Sequence, residues 1–259
     1  MEIAFYKSLW GMEEMPLPDA LEKIAAAGFD GFEAPLAKVE EAWELGVRGR
    51  EVAMLFEEDV DSLRANLDRA GEVGSEAVNV HAGKDWWTFD EGCAFFERAL
   101  EAVHDSGLAV SFETHRGRLL CDPQSTAAYL KRFPSLRITA DFSHWTCVCE
   151  SMLRDQTHQL ETAIERTTLI HARVGHEEGP QVPDPRVPAW SRQLEQFDEW
   201  WDAIKMANEA RGETVLRVDP EFGPPNYMWT NPATGEPSAD LWDVCVWMRD
   251  HLRTRWSGV

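Results

Sequence analysis

Residues 109–145 read AVSFETHRGRLLCDPQSTAAYLKRFPSLRITADFSHW. Two short apolar runs, 109–113 and 137–141, end in the carboxylates Glu113 and Asp141, and between them 123–132 follows a helical pattern. Side chains alternate along a strand, so Glu113 shares one face with Ser111 and Ala109, while Val110 and Phe112 point the other way. The same parity sets Asp141 beside Thr139, with Ile138 and Ala140 opposite. Two carboxylates thus stand on neighbouring strands and on one face, and the apolar sets on the other face await helices.

The same unit repeats along the chain. Candidate strands are 3–6, 31–34, 52–56, 77–81, 109–113, 137–141, 169–174 and 215–219, of which 52–56 carries the weakest pattern. Helical patterns follow at 18–27, 36–45, 59–73, 90–106, 123–132, 157–165, 194–210 and 239–253. Pro18 and Asp19 suit a first helical turn, and Gly28, Gly74, Gly107 and Gly212 punctuate helix ends. Eight βα pairs in 259 residues fit a closed (β/α)8 TIM barrel, an α/β fold occupying 1–259 as one domain. An open dinucleotide-binding sheet is disfavoured, because neither G-x-G-x-x-G nor a Walker loop occurs. The stretches 175–191 and 222–238 are rich in proline and glycine and show no periodicity. In a barrel they follow the last two strands and overhang the catalytic face.

Composition narrows the partners. A net charge of −21 distributed along the helical segments opposes nucleic acid and anionic membranes, since both are bound through basic residues. No apolar stretch of about 18 residues occurs, and the first residues, MEIAFYKSLW, lack the features of a signal peptide, so a soluble cytoplasmic protein is expected. Cys93, Cys121, Cys147, Cys149 and Cys245 contain no C-x-x-C pair and are expected as free thiols. Trp10, Trp86, Trp87 and Trp145 follow candidate strands and are candidates to wall a pocket, whereas Trp200, Trp201, Trp242 and Trp247 fit helix packing.

Ionisable residues gather where strands stop. Strand two ends in GFEAP with Glu33, strand four in NVHAG with His81, and strand five in SFETHRGR with Glu113, His115 and Arg116. Strand six ends in TADFSHW with Asp141 and His144, strand seven in IHARVGH with His171 and Arg173, and strand eight in VDPEFGPP with Asp219 and Glu221. One strand-end carboxylate is ordinarily a cap or a loop partner, but a barrel directs all of these ends into one funnel. Three carboxylates and an imidazole brought together repel and raise one another's pKa unless a divalent cation holds them ionised. Mostly oxygen donors with one nitrogen favour Mn²⁺, with Mg²⁺, Co²⁺, Fe²⁺ and Zn²⁺ as alternatives.

Glu113 in FET, the D-x-x-H of Asp141 and His144, His171 and the Glu221 of PEF make the chain resemble the xylose isomerase-like TIM barrel superfamily over nearly its whole length. That superfamily contains sugar (phosphate) isomerases and epimerases, inosose dehydratases and endonuclease IV. The resemblance implies Glu113, Asp141, His171 and Glu221 as metal ligands, with Glu113 and Glu221 as the catalytic acid and base. It implies His144 and Arg173 as substrate ligands, with His81 and Glu33 at further polar strand-end positions. His115 and Arg116 join the candidate substrate set by position, and Arg116, Arg118 and Arg173 are candidates for a substrate phosphate. The expected activity is isomerisation or epimerisation of a small sugar-like keto substrate through a metal-stabilised enediolate.

A lyase, dehydratase or hydratase of a keto-sugar or cyclitol would use the same residues and is the chief alternative. An endonuclease IV-like nuclease needs a histidine in the third strand and a D-x-H pair after the seventh, and neither is present. A non-catalytic sugar-binding barrel would be favoured by a missing ligand, and a homo-oligomer is compatible with every reading.

Overall fold

The computed structural model describes residues 1–48 and 50–257. Residues 258 and 259, at the end of the expected domain span, and Gly49 lie outside the described residues. Eight parallel strands close into a barrel in sequential order, β1 (Glu2–Ser8), β2 (Gly31–Pro35), β3 (Arg50–Glu57), β4 (Ala77–Ala82), β5 (Val110–Glu113), β6 (Ile138–Ala140), β7 (Thr167–His171) and β8 (Val215–Asp219). Closure comes from β1 and β8, with Glu2 to Phe5 paired with Val215 to Val218. Around them lie α1 (Leu17–Ala26), α2 (Leu36–Glu44), α3 (Val60–Glu72), α4 (Phe89–Ser106), α5 (Pro123–Arg132), α6 (Phe142–Val148), α7 (Thr157–Ile164), α8 (Ser191–Arg211) and α9 (Leu241–Trp256).

Period-two alternation divides the apolar residues into two cores. Outward residues such as Phe5, Phe32, Ala53, Val80, Phe112, Ile138, Ile170 and Val218 pack under the helices in one continuous cluster. The inward set is smaller, with Ala4, Tyr6, Val52, Ala77 and Leu169 filling the barrel. Below them Glu76 accepts hydrogen bonds from Tyr6 Oη at 2.9 Å, Arg50 Nε at 2.7 Å and Arg217 Nη2 at 3.0 Å. Inward residues nearer the strand ends are Glu33, Asn79, Ser111 and Thr139, all buried, with Ser111 Oγ and Thr139 Oγ1 at 2.7 Å. An apolar plug therefore sits beneath a polar mouth.

Helix entry follows from local chemistry. Thr88 and Glu91 form a reciprocal capping box at the start of α4, and Asp59, Asp122 and Asp240 each accept a backbone N–H in the first turn of α3, α5 and α9. Gly107, at φ 66°, ends α4 in the left-handed conformation.

Three expectations are adjusted. The seventh strand ends at His171 rather than 174, because Arg173 leaves the ladder to reach Asp141 and Ser143. The sequence pattern assigns no helix to 142–148, where about two helical turns are capped by Asp141. The stretches expected to be structureless contain a 3₁₀ turn, Pro188–Trp190, and a cross-loop clamp. In that clamp Gln181 Nε2 donates to Gly223 O at 3.0 Å and Gly223 N donates to Gln181 Oε1 at 2.7 Å. All five cysteines are free thiols, and among the described residues no helix is long and apolar enough to cross a membrane.

Candidate active site

Strands β5 and β7 and the segments after β6 and β8 deliver Glu113, His171, Asp141 and Glu221 to the mouth of the barrel. Ligating atoms of Glu113, Asp141 and His171 lie within 4.8 Å of one another. His171 Nδ1 is 3.2 Å from Glu221 Oε2 and 3.6 Å from Glu113 Oε2, yet makes no well-directed hydrogen bond among the described residues. A buried imidazole nitrogen of that kind, facing two carboxylates, fits a cation ligand. The four sequence-selected residues therefore converge, and their donor set suits a divalent ion.

Each member is fixed from behind. Asn79 donates to Glu113 Oε2 at 2.6 Å and to Glu33 Oε1 at 3.0 Å. Glu33 Oε2 lies 3.0 Å from His171 Nε2, which leaves Nδ1 to face the cluster. Asp141 takes the backbone N–H and hydroxyl of Ser143 on Oδ1 and the Arg173 guanidinium on Oδ2, and its own N–H donates to Thr114 Oγ1 at 2.8 Å. Arg173 also donates to Ser143 Oγ at 3.1 Å and to the Glu221 carbonyl at 3.1 Å. Its Nη1 is 3.4 Å from Glu221 Oε2, so one buried guanidinium spans two of the candidate ligands.

The protonation pattern follows from this packing. Burial works against the His171 cation, but Glu221, Glu33 and Glu113 outweigh it and hold the imidazole well above its ordinary range. Burial opposes ionisation of Glu113 as well, yet His81 and His171 keep it well below the usual carboxylate range, and His171 and Arg173 do the same, less strongly, for Glu221. Burial carries Asp141 up to about 6 against the pull of Arg173. Burial lowers His144 well below its ordinary value, with His115 and Arg173 beside it acting in the same direction. Burial lowers His115 to about 4, with the Glu113 carboxylate opposing. Asp219, both of whose oxygens lack hydrogen bonds among the described residues, is pushed well up by burial and by Glu33.

The remaining candidates occupy different depths. His81, His115 and Arg173 line a cavity of about 430 Å³ together with Glu113 and Glu221. His81 Nε2 is 2.9 Å from Glu113 Oε2, and His81, Glu113 and His115 form a second group of convergent donors. His144 is fully buried behind His115, with ring centroids 3.8 Å apart, and its Nε2 lies 2.9 Å from Arg173 Nη2. Glu33 is fully buried beneath His171 and does not line the cavity. Arg116 lines an adjoining recess with His176, Trp190 and Trp229, and Tyr227 belongs to both spaces. Arg118 instead donates to Gly83 O at 3.3 Å, so the three arginines are engaged separately. Of the four tryptophans considered as walls, Trp10 lines the cavity, Trp145 is core with its Nε1 donating to Leu120 O, Trp87 packs on the core, and Trp86 is 72% exposed. Asn79, Ser143 and Tyr227 were not anticipated. Asn79 shares the inward parity of His81, which is the signal that could have found it.

An eight-stranded parallel barrel with carboxylates and imidazoles at its C-terminal mouth belongs to the barrels that carry their sites on that face. More narrowly, the chain has the fold of the xylose isomerase-like TIM barrels. It is similar to a probable 3-DHS dehydratase of petrobactin synthesis from Bacillus anthracis at TM-score 0.63 and 14% identity, over 97% of this chain and 99% of that one. A xylose isomerase-like TIM barrel protein from Mycobacterium smegmatis in complex with magnesium gives 0.56 and 13% over 98% and 95%. Endonuclease IV from Thermus thermophilus gives 0.56 and 16% over 98% of each chain. No family model and no curated protein matches the chain.

Proposed function

We propose that the chain is an enzyme, a divalent-metal-dependent isomerase or epimerase of a small sugar-like keto compound. The carrying observation is the convergence of Glu113, Asp141, His171 and Glu221 around a His171 Nδ1 that makes no well-directed hydrogen bond among the described residues. Mn²⁺ is the favoured ion for this set of oxygens and one nitrogen. When bound, such an ion supplies Lewis acidity that polarises a substrate carbonyl and acidifies the adjacent C–H.

The residues themselves do the proton work. Glu113 and Glu221 are both held ionised and both line the cavity, so either is able to take a proton from carbon and, once protonated, to return it to the neighbouring carbon. Return to the opposite face requires that the other carboxylate first take up a proton from water. Asn79 fixes the Glu113 carboxylate, and Arg173 fixes Asp141 and places its charge at the cavity wall against the negative charge that develops on the substrate oxygens. His115 is neutral at physiological pH and serves as a hydrogen-bond partner rather than as a proton source.

The test is NMR in D₂O with the Mn²⁺-loaded protein and a panel of ketoses, 3-keto-glycosides and inososes. Deuterium at the carbon next to the carbonyl, with formation of an isomer, is the expected outcome. Release of water without an isomer assigns the chain to the lyases instead. Glu113→Gln is expected to abolish exchange, and full activity in that variant refutes the assignment.

A further inference from the structure

The cavity above the carboxylates is chemically divided. Glu113, Glu221, Arg173, His81 and His115 line it from β4, β5 and the ends of β7 and β8. The ends of β1 and β3 and the segment after β1 contribute Leu9, Trp10, Met12, Met15, Met54 and Phe56, whose apolar surface outweighs the polar groups of Ser8, Glu13 and Lys38 on that side. At about 430 Å³ the space lies within the range of small-molecule sites, about 300–1,000 Å³. A free sugar presents hydroxyls on every side, and hydroxyls set against the methionine and aromatic part of this wall would lose their water without finding partners.

We propose that the substrate is amphipathic: an oxygen-rich head at the carboxylate end and an apolar arm, an aryl or alkyl substituent, against the methionine wall. This rests on the proposed carbonyl chemistry for the head but on separate residues for the arm. Trp10 and Tyr227 stand edge to face at 4.9 Å and 81°, forming a rigid aromatic corner where the two ends meet. Phe56 stacks on His81 at 4.5 Å and is 53% exposed, an apolar rim at the entrance that an arm would cover. Methionines at three positions of the wall make it deformable, which suits a planar or a flexible substituent alike.

Two hydroxamates separate arm from head, because they share one bidentate chelating group and differ only in the substituent. Benzohydroxamate is expected to bind the Mn²⁺-loaded protein at least tenfold more tightly than acetohydroxamate in isothermal titration. Met54→Gln and Met12→Gln, which keep volume and add an amide, are expected to reduce that ratio below threefold while the acetohydroxamate affinity stays the same. Thermal melts establish that both variants fold, and each alone is sufficient for the test. If the preference for the aryl compound persists without any Mn²⁺ dependence, the arm stands and the metal reading fails. Equal affinities, absence of binding by both, or a preference untouched by both variants overturns the inference.

Discussion

Glu33 Oε2 lies 3.0 Å from His171 Nε2, deep in the barrel and on the side of the ring away from the cavity. A carboxylate at that nitrogen orients the imidazole and raises its donor strength at Nδ1. Glu33→Gln keeps the shape and removes the charge. It is expected to weaken Mn²⁺ binding roughly 10- to 100-fold in isothermal titration, while the metal-free protein melts within a few degrees of wild type. An unchanged affinity would deny Glu33 this role.

Metal uptake is expected to strengthen with pH. His171 is held well above its ordinary range and Asp141 at about 6, so both carry protons that a cation must displace. In the metal-free protein the stability due to the raised His171 is fully present below about pH 6.5, the ordinary value, and is lost as pH rises through the higher folded value. The raised Asp141 acts with the same sign, its contribution being lost between its ordinary value near 3.8 and about 6. The Mn²⁺-induced rise in melting temperature should therefore grow from pH 6 to pH 8, and a constant or shrinking rise contradicts the assignment of ligands.

Arg173 ties Asp141, Ser143 and the Glu221 carbonyl together and is almost fully buried at the cavity wall. Arg173→Ala leaves buried carboxylates uncompensated and is expected to cost about 3–5 kcal/mol of folding stability in the metal-free protein. Arg173→Lys should recover less than half of that, because one ammonium cannot reach partners spread around a planar guanidinium. Urea unfolding of the three proteins gives the ranking, and equal stabilities for Lys and Arg would refute it.

Gly223 faces the Trp10 ring so closely that an added Cβ would lie 2.2 Å from it. Gly223→Ala is expected to cost about 1–3 kcal/mol and to displace Trp10 from the cavity corner. Urea unfolding measures the first effect and near-ultraviolet circular dichroism the second. A stable variant with an unchanged spectrum would show that the corner is not built on this contact.

The barrel was legible because each strand combines an outward apolar set with an inward set at period two, as 215–219 shows with identical bounds in sequence and structure. Glu113 and Asp141 were placed on one face by the same parity. Parity gives the face but not the depth. Glu33 and Glu113 both point inward, yet strand stagger sets Glu33 beside Val52 on β3 and Glu113 beside Thr139 on β6, so Glu33 lies under His171 and Glu113 opens to the cavity. The contacts of Arg173 depend on a segment that abandons strand geometry, for which periodicity offers no signal. Helix α6 escaped notice because all of Phe142 to Thr146 is buried and no polar face marks a helical period.

The paired hydrogen bonds between Gln181 and Gly223 join the segments after β7 and β8 as if they were one flap. Neither segment can swing outward alone without stranding a buried amide, so any movement on this rim must be concerted. Because Trp10 packs against Gly223, a displacement of that flap would carry the aromatic wall of the cavity with it.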